Sequence, residues 1–243
     1  MSSCGINVAV LQLNLEMNMR IVVVGANGST GQEIVKQALA AGHSVVGAVR
    51  RPETLTHIQG VEIAKIDLSN PETLVAAMRG ADAVVSALGH GGLGDSMKFT
   101  TLYSDATRNI CQSMRQTGVR RLIVLSSGGV VDNDKAPAFY TKLLRRLLIN
   151  TYIDMARMET ILEEAQDIDW TTVRLTYLRK GKSKPFLVEE GKMSRGNFQI
   201  HYVDAARFVV EELTARKWIK SHPVLGYDRG TKQIATKSET LAA

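Results

Sequence analysis

A glycine-rich turn is the feature of this chain whose residue types and spacing indicate chemistry most clearly. Residues 21–31 read IVVVGANGSTG, an apolar run typical of a buried parallel strand followed by the pattern G-x-x-G-x-x-G. Gly25 allows a sharp turn, Gly28 leaves room for a pyrophosphate beside the backbone, and Gly31 lets the following helix pack close to the strand. The amino end of that helix attracts phosphate groups. The segment therefore predicts a dinucleotide-binding turn.

An arginine pair follows the second predicted strand, residues 43–49. Arg50 and Arg51 lie about where an NAD-specific site carries Asp or Glu to bind the ribose 2′-hydroxyl. Guanidinium groups instead pair with a 2′-phosphate and stack along adenine. The pair predicts NADP as the cofactor, with NADPH preferred over NADH. The alternative is a solvated arginine pair at the end of a strand.

Strand and helix patterns alternate along the rest of the chain. Further strands are predicted over 61–66, 83–88, 122–125, 170–175 and 224–227, and a long helix over 139–166. Asn70 and Pro71 are placed to begin one helix, and Asp204 is placed to cap the last one. This alternation predicts an α/β fold, a single Rossmann-type doubly wound parallel sheet with helices on both faces.

The domain limits follow from where these patterns begin and end. We expect a loosely ordered N-terminal arm over residues 1–18, a dinucleotide-binding domain with small C-terminal substrate-side elements over 19–230, and a polar tail over 231–243. The apolar stretch 6–15 lacks the basic region and the cleavage site of a signal peptide. We find no candidate membrane span and expect no membrane partner.

Composition narrows the possible classes of partner. The net charge is +6, but the basic residues are spread over several segments without interleaved aromatic residues, so we expect no nucleic acid partner. Cys4 and Cys111 are the only cysteines, too few for a disulfide framework or a zinc site. We therefore expect no metal site and a cytoplasmic protein.

Two loops and a serine pair complete the candidate site. The glycine-rich loop 89–95 leaves the carboxyl end of a predicted strand, where ligands bind in open α/β sheets. Ser126 and Ser127 end the next strand. The basic loop RKGKSK, residues 179–184, suits a carboxylate or phosphate group of a substrate, or is simply a solvated loop.

The order of these features resembles that of one known superfamily. It includes the glycine turn, the arginine pair, Asp67, Leu88 with Gly89, Ser126 with Ser127 and the strand WTTVR. From Met19 to about Tyr227 the chain resembles the atypical short-chain dehydrogenase/reductase superfamily. Its greatest resemblance is to the NAD(P)H-binding branch that includes biliverdin reductase B, also called flavin reductase. The NmrA-like regulators are similar at a greater distance.

The resemblance implies roles for residues at the turn and at the strand ends. The implied cofactor-binding residues are Gly25, Asn27, Gly28, Ser29, Thr30, Gly31, Arg50, Arg51, Asp67, Leu68, Leu88, Gly89, His90, Ser126, Leu175 and Thr176. Asp67 and Leu68 would flank the adenine. Ser127 would stand near the nicotinamide, and Leu175, Thr176 and Tyr177 would border its carboxamide. The candidate catalytic residues are Ser127 and Tyr177.

The chain departs from the superfamily at the usual Tyr-x-x-x-Lys pair, in which lysine helps tyrosine exchange a proton with the substrate. Tyr140 is followed four residues later by Leu144, and Tyr152 by Ala156. Biliverdin reductase B also works without this pair, and solvent can protonate its acceptor. The resemblance thus implies NADPH-dependent reduction of a small planar acceptor, such as a flavin, bilin or quinone, by a monomer or homodimer.

Two other functions are compatible with the sequence. One is an NADP-binding regulatory or assembly protein, NmrA-like, that transfers no hydride. The other is a sugar-nucleotide epimerase, which is less favoured because such enzymes use the missing tyrosine–lysine pair.

Overall fold

The computed structural model describes residues 18–89, 97–132, 145–192 and 198–227. Several predicted features lie outside these ranges. They are residues 1–17 of the arm, His90 with the loop after it, Tyr140, and the tail 231–243.

A mostly parallel sheet forms the centre of the molecule. Its strands are β1 (Arg20–Val24), β2 (Ser44–Val49), β3 (Glu62–Lys65), β4 (Ala83–Ser86), β5 (Arg121–Ser127), β6 (Asp169–Leu175), β8 (Leu187–Glu190) and β10 (Pro223–Gly226), while β7 (Tyr177–Arg179) and β9 (Gln199–His201) pair separately. The eight-stranded order is β3-β2-β1-β4-β5-β6-β10-β8, and β8 runs antiparallel to β10. The first six strands have the Rossmann order, so the predicted fold class is confirmed.

Helices cover both faces of this sheet. They are α1 (Ser29–Ala40), α2 (Pro71–Met78), α3 (Leu102–Thr117), α4 (Ile149–Glu164) and α5 (Tyr202–Ala215), with single turns at Pro52–Thr54 and Arg145–Leu147. Helices α1 and α5 pack on one face, and α2, α3 and α4 pack on the other. Among the residues that the structure describes, no helix is both long enough and apolar enough to cross a membrane.

Strand β1 shows why the sequence before the glycine turn is continuously apolar. Ile21 and Val23 belong to the core beneath α1 and α5, whereas Val22 and Val24 belong to the core beneath α2, α3 and α4. All four side chains are fully buried. A strand buried on both faces cannot alternate polar with apolar residues. Because β1 lies inside the sheet, between β2 and β4, the turn that follows it lies at the carboxyl edge and away from the ends of the sheet.

The structure confirms one predicted helix start and corrects another. The side chain of Asn70 accepts a 3.1 Å hydrogen bond from the backbone of Glu72, and Pro71 begins α2, as predicted. The prediction that Asp204 caps the last helix is wrong. That helix begins at Tyr202, which places Asp204 inside its first turn. The Asp204 carboxylate is fully buried and instead accepts a hydrogen bond from the hydroxyl of Ser183, in the segment before β8.

The long helix predicted over 139–166 is shorter at its end than expected. Its described part is the turn Arg145–Leu147 followed by α4, which ends at Glu164, and residues 139–144 lie outside the described ranges. Within α4, the fully buried Asp154 accepts hydrogen bonds from the backbone of Tyr103 and the hydroxyl of Ser104. Asp154 therefore caps the amino end of α3 and holds α4 beside it.

Candidate functional site

A cleft of about 650 Å³ lies along the carboxyl ends of the central strands. It follows the sheet order from β2 through β1, β4 and β5 to β6. Most of the predicted site residues line it. They are Gly25, Asn27, Gly28, Ser29, Thr30, Arg50, Arg51, Leu68, Leu88, Gly89, Ser126, Ser127, Leu175 and Thr176. Open α/β sheets bind ligands at this edge.

The glycines of the turn have different reasons for being glycine. Gly25 has a φ of +79°, and a Cβ there would lie 2.7 Å from the carbonyl oxygen of Ala87. A Cβ at Gly31 would collide with the carbonyl oxygen of Gly25, so Gly31 lets α1 pack against the turn and lies outside the cleft lining. Gly28 has an ordinary φ of −72°, and a Cβ there would meet protein atoms only at 3.5 Å or more. The fold therefore tolerates a side chain at Gly28, which would project into the space at the cleft.

The amino end of α1 is suited to an anion. In the described structure its N-cap, Gly28, provides no side-chain cap, and no acidic residue occurs in the first turn. The first backbone N–H groups of a helix have no partner within the helix and carry its positive dipole end. The side chain of Gln32 donates a 3.0 Å hydrogen bond to the carbonyl oxygen of Asn27, which fixes the turn. This arrangement fits the pyrophosphate of a dinucleotide.

The arginine pair stands at one end of the cleft, directly after β2. Both side chains are exposed, and within the described part of the chain neither guanidinium forms a hydrogen bond or an ion pair. The backbone of Arg51 is fixed, because its carbonyl oxygen accepts a 2.6 Å hydrogen bond from the hydroxyl of Thr54. Two guanidiniums are thus available to a phosphate that enters this end.

Asp67 lies outside the cleft lining, although the next residue, Leu68, is part of it. The hydroxyl and the backbone N–H of Ser69 donate hydrogen bonds of 2.6 and 2.9 Å to the Asp67 carboxylate. These bonds lower the pKa of that carboxyl group, and the charge of Arg50 contributes in the same direction. The contact of Asp67 with adenine stays a prediction.

The two serines at the end of β5 make different contacts. Ser126 is buried, and its hydroxyl donates a 2.7 Å hydrogen bond to Glu159 on α4. The hydroxyl oxygen of Ser127 accepts a 3.2 Å hydrogen bond from the backbone of Gly129, which leaves its hydrogen to be donated into the cleft. Of the two hydroxyl groups, that of Ser127 is the better placed to contact a bound molecule.

Tyr177 is not part of the cleft lining. Its side chain is 58% exposed, whereas both neighbours, Thr176 and Leu178, line the cleft. Adjacent residues of a strand point to opposite sides, which explains the difference. The catalytic role assigned to Tyr177 stays a prediction that gains no support from this geometry.

The sequence patterns above do not indicate one wall of the cleft. It comes from the amino-terminal half of α4 and the residue before it. The wall residues are Leu148, Thr151, Tyr152 and Met155. Their spacing of three and four residues places them on one helix face. This spacing is the sequence signal for the wall, because a helix that follows β5 begins at the carboxyl edge of the sheet. The residue four positions after Tyr152 is Ala156, so the usual tyrosine–lysine pair is absent from this wall.

Comparison with known proteins identifies the family of this chain. The family described as NAD(P)H-binding matches residues 25–216. Among curated relatives, a photosystem II assembly factor, Ycf39 of Synechocystis, is 28% identical over 139 residues, which are 56% of this chain and 42% of that factor. The chain thus spans less than half the length of this relative.

Solved structures share the fold. A short-chain dehydrogenase/reductase from Veillonella parvula, solved in complex with NADP, has a TM-score of 0.71 and 18% identity, and the match covers 88% of this chain and 97% of that one. A Streptococcus pneumoniae protein, to which an NADH-flavin reductase activity has been ascribed, has a TM-score of 0.69 and 24% identity over 87% of this chain and all of that one. Identities this low show the fold alone. The match to the family covers most of the chain, and the protein belongs to the NAD(P)H-binding family.

Proposed function

We propose that this protein is an NADPH-dependent reductase of a planar conjugated acceptor, such as a flavin, a bilin or a quinone. The observation that carries the proposal is the placement of three features in one cleft. Arg50 and Arg51 follow β2 at one end, the glycine turn follows the neighbouring strand β1, and Ser127 ends β5 toward the other end. A dinucleotide laid along the strand ends would have its phosphates at the turn and its nicotinamide near Ser127.

The charge at the cleft supports NADP as the cofactor. A free ribose 2′-hydroxyl is normally held by a carboxylate, whereas a 2′-phosphate is held by guanidinium groups. Arg50 and Arg51 line the cleft, and among the described residues neither guanidinium forms a hydrogen bond or an ion pair. We assign the remaining cofactor contacts to Asn27, Ser29 and Thr30 at the turn and to Leu175 and Thr176 at the end of β6.

The far wall supports a planar acceptor. Leu148 and Met155 are apolar, and Tyr152 adds an aromatic ring that is almost fully buried. A flat ring system placed between this wall and the nicotinamide would be shielded from water on both faces. The hydroxyl of Ser127 would orient the ring or the carboxamide by donating a hydrogen bond.

The chemistry asks little of the protein beyond this positioning. NADPH supplies the hydride when it is bound. A flavin that accepts hydride at N5 takes its second hydrogen as a proton at N1, and solvent can provide that proton. Such a reaction needs no tyrosine–lysine pair, which agrees with Ala156 standing one helical turn after Tyr152.

An acceptor screen tests the proposal. NADPH consumption is followed by absorbance, without oxygen, in the presence of FMN, FAD, a quinone or a bilin. We expect consumption with at least one acceptor, and none above background for a Gly28→Val variant that still folds. If the protein binds NADPH but consumes it with none of these acceptors, the reductase proposal is wrong.

A second candidate is a protein that binds NADP and transfers no hydride. The similarity to a photosystem II assembly factor favours it, although the match covers only 42% of that factor. The same screen separates the two, because this candidate predicts tight NADPH binding without consumption. A sugar-nucleotide epimerase is not favoured, since Tyr152 lacks the lysine partner that such enzymes use.

A further inference from the structure

A second pocket, of about 480 Å³, opens beside the cofactor cleft. It lies between the outer side of α1, the basic loop 179–184 and the first turn of α5. Three of its lining residues, Asn27, Ser29 and Tyr202, also line the cleft. These shared residues show that the second pocket lies directly beside the cleft.

The ionisable side chains lining this pocket are mostly cationic. Lys36 and Lys180 contribute two ammonium groups, and Glu33 contributes one carboxylate. The Lys36 ammonium lies 3.7 Å from the Glu33 carboxylate, so that pair is largely neutral. Lys180 is exposed and, within the described ranges, forms neither a hydrogen bond nor an ion pair. The pocket therefore carries one uncompensated positive charge.

The loop that carries Lys180 is held in place by hydrogen bonds at Ser183 and Lys184. The fully buried carboxylate of Asp204 accepts a 2.6 Å hydrogen bond from the hydroxyl of Ser183 and a 3.3 Å one from the backbone of Lys184. The hydroxyl of Tyr227 donates to the same carboxylate. These bonds fix the loop to α5 and to the residue that follows β10.

A histidine fixes the loop nearer to Lys180. His201 Nδ1 lies 2.9 Å from the carbonyl oxygen of Lys182 and must donate to it, because a carbonyl only accepts. The His201 ring also packs so close to Gly181 that a Cβ at that glycine would collide with it. Lys180 is thus presented to the pocket by a segment whose shape is set in advance, which lowers the entropy cost of binding.

We propose that this pocket binds a terminal anionic group, a phosphate or a carboxylate, on a flexible arm of the acceptor. The inference rests on the proposed function for the identity of the acceptor. It specifies the substrate class further, because it favours acceptors with an anionic arm over neutral ones with the same ring. Lys180 would provide the charge, and the Lys36 ammonium, already paired with Glu33, would add only a weaker contact.

Two flavins test this directly, because FMN and riboflavin differ only by the terminal phosphate. KM for each is measured from NADPH consumption under anaerobic conditions. We expect KM for FMN to be roughly tenfold lower than for riboflavin, in line with one charge-assisted contact. Lys180→Ala should raise the KM for FMN toward that for riboflavin and leave the KM for riboflavin unchanged.

The same loop offers a matched control. Lys182→Ala removes the same charge, but Lys182 lies outside the pocket lining, and its contact with His201 uses only the backbone. It should leave both KM values unchanged. A bilin and its dimethyl ester form a parallel pair, and discrimination there but not between the flavins would identify the anion as a carboxylate.

Two results would overturn the inference. One is equal KM values within both pairs of acceptors. The other is a Lys180→Ala variant that weakens NADPH binding in calorimetry while the acceptor KM values stay the same, which would make Lys180 a cofactor contact.

Direct binding separates this inference from the reductase proposal. FMN and riboflavin are titrated into the NADP⁺-saturated protein and binding is followed by flavin fluorescence. Tighter binding of FMN that depends on Lys180, in a protein that never consumes NADPH, would support the pocket and contradict the reductase. Reduction of the acceptors without discrimination within either pair, flavins or bilins, would support the reductase and contradict the pocket.

Discussion

The hydroxyl of Ser126 donates a 2.7 Å hydrogen bond to the carboxylate of Glu159. That carboxylate also accepts two hydrogen bonds from Arg174, of 3.1 and 2.7 Å, and all three side chains are buried. The network joins the end of β5 to α4 and β6, the elements that form the far end of the cleft. The position of the cleft wall on α4 therefore depends on the buried ion pair between Glu159 and Arg174.

Removing one partner of this pair should cost much stability. Glu159→Ala leaves the Arg174 guanidinium buried without its counter-charge, and we expect a loss of about 3–5 kcal/mol in the free energy of unfolding. Urea unfolding measures the change. Ser126→Ala keeps the ion pair and should cost far less, roughly 1 kcal/mol. Equal losses for the two variants would show that the ion pair is not the important element.

The glycines of the turn should separate binding from folding. Gly28→Val keeps an allowed backbone conformation and places a side chain in the cleft, so NADPH binding should be lost while the thermal unfolding temperature stays near that of the unmodified protein. Gly31→Ala is the opposite case, because its Cβ would collide with the backbone of Gly25. It should lower stability by about 1–3 kcal/mol. For both variants, calorimetry measures NADPH binding and thermal unfolding measures stability. Ordinary NADPH affinity in Gly28→Val would show that the turn has only a structural role.

Arg50 should decide the cofactor preference. Arg50→Asp removes a charge-assisted contact of about 1.5–3 kcal/mol, roughly ten- to a hundredfold in affinity, and adds repulsion toward a 2′-phosphate. The preference for NADPH over NADH should shrink or reverse. Arg79→Asp is a suitable control, since Arg79 is exposed and lies outside the cleft lining. Equal dissociation constants for both cofactors in the unmodified protein would contradict the role of the arginine pair.

The parts of this site that sequence could predict are those fixed by local chain geometry. The turn of Gly25 to Gly31 is read from neighbouring residues, and strand ends such as Ser127 fall at one edge because the strands are parallel. The far wall could not be read in the same way. Tyr152 and Met155 line the cleft because α4 docks across the sheet, and Glu159 meets Arg174 only in the folded chain.

Short strands and buried polar residues were also beyond the sequence patterns. Strands β7 and β9 have three residues each, too few for a period to show. Asp204 has the residue type of a helix cap, but its carboxylate is used by Ser183 and Tyr227, which are distant in sequence. The resemblance implies a role for Tyr177 at the site, whereas the alternation of β7 turns its side chain away from the cleft.

Ser127 and Tyr152 test how the proton reaches the acceptor. If Ser127 only orients the acceptor or the nicotinamide, Ser127→Ala should lower turnover by one to two powers of ten, roughly 1.4–2.8 kcal/mol in the barrier. Tyr152→Phe keeps the ring in the wall and should leave turnover within a few-fold. Both variants are compared after NADPH binding has been checked. Complete inactivation of Tyr152→Phe with binding intact would identify the tyrosine as the proton donor, against protonation by solvent.

A single turnover between bound NADPH and an acceptor tests the central claim most directly. The NADPH-loaded protein is mixed with an equal amount of FMN, without oxygen, and the near-ultraviolet absorbance of NADPH and the visible absorbance of the flavin are recorded together. The proposed function predicts that both fall with one rate constant, and that Gly28→Val abolishes the fall. NADPH that stays bound and unoxidised with FMN, and equally with a quinone and a bilin, would contradict hydride transfer in this cleft.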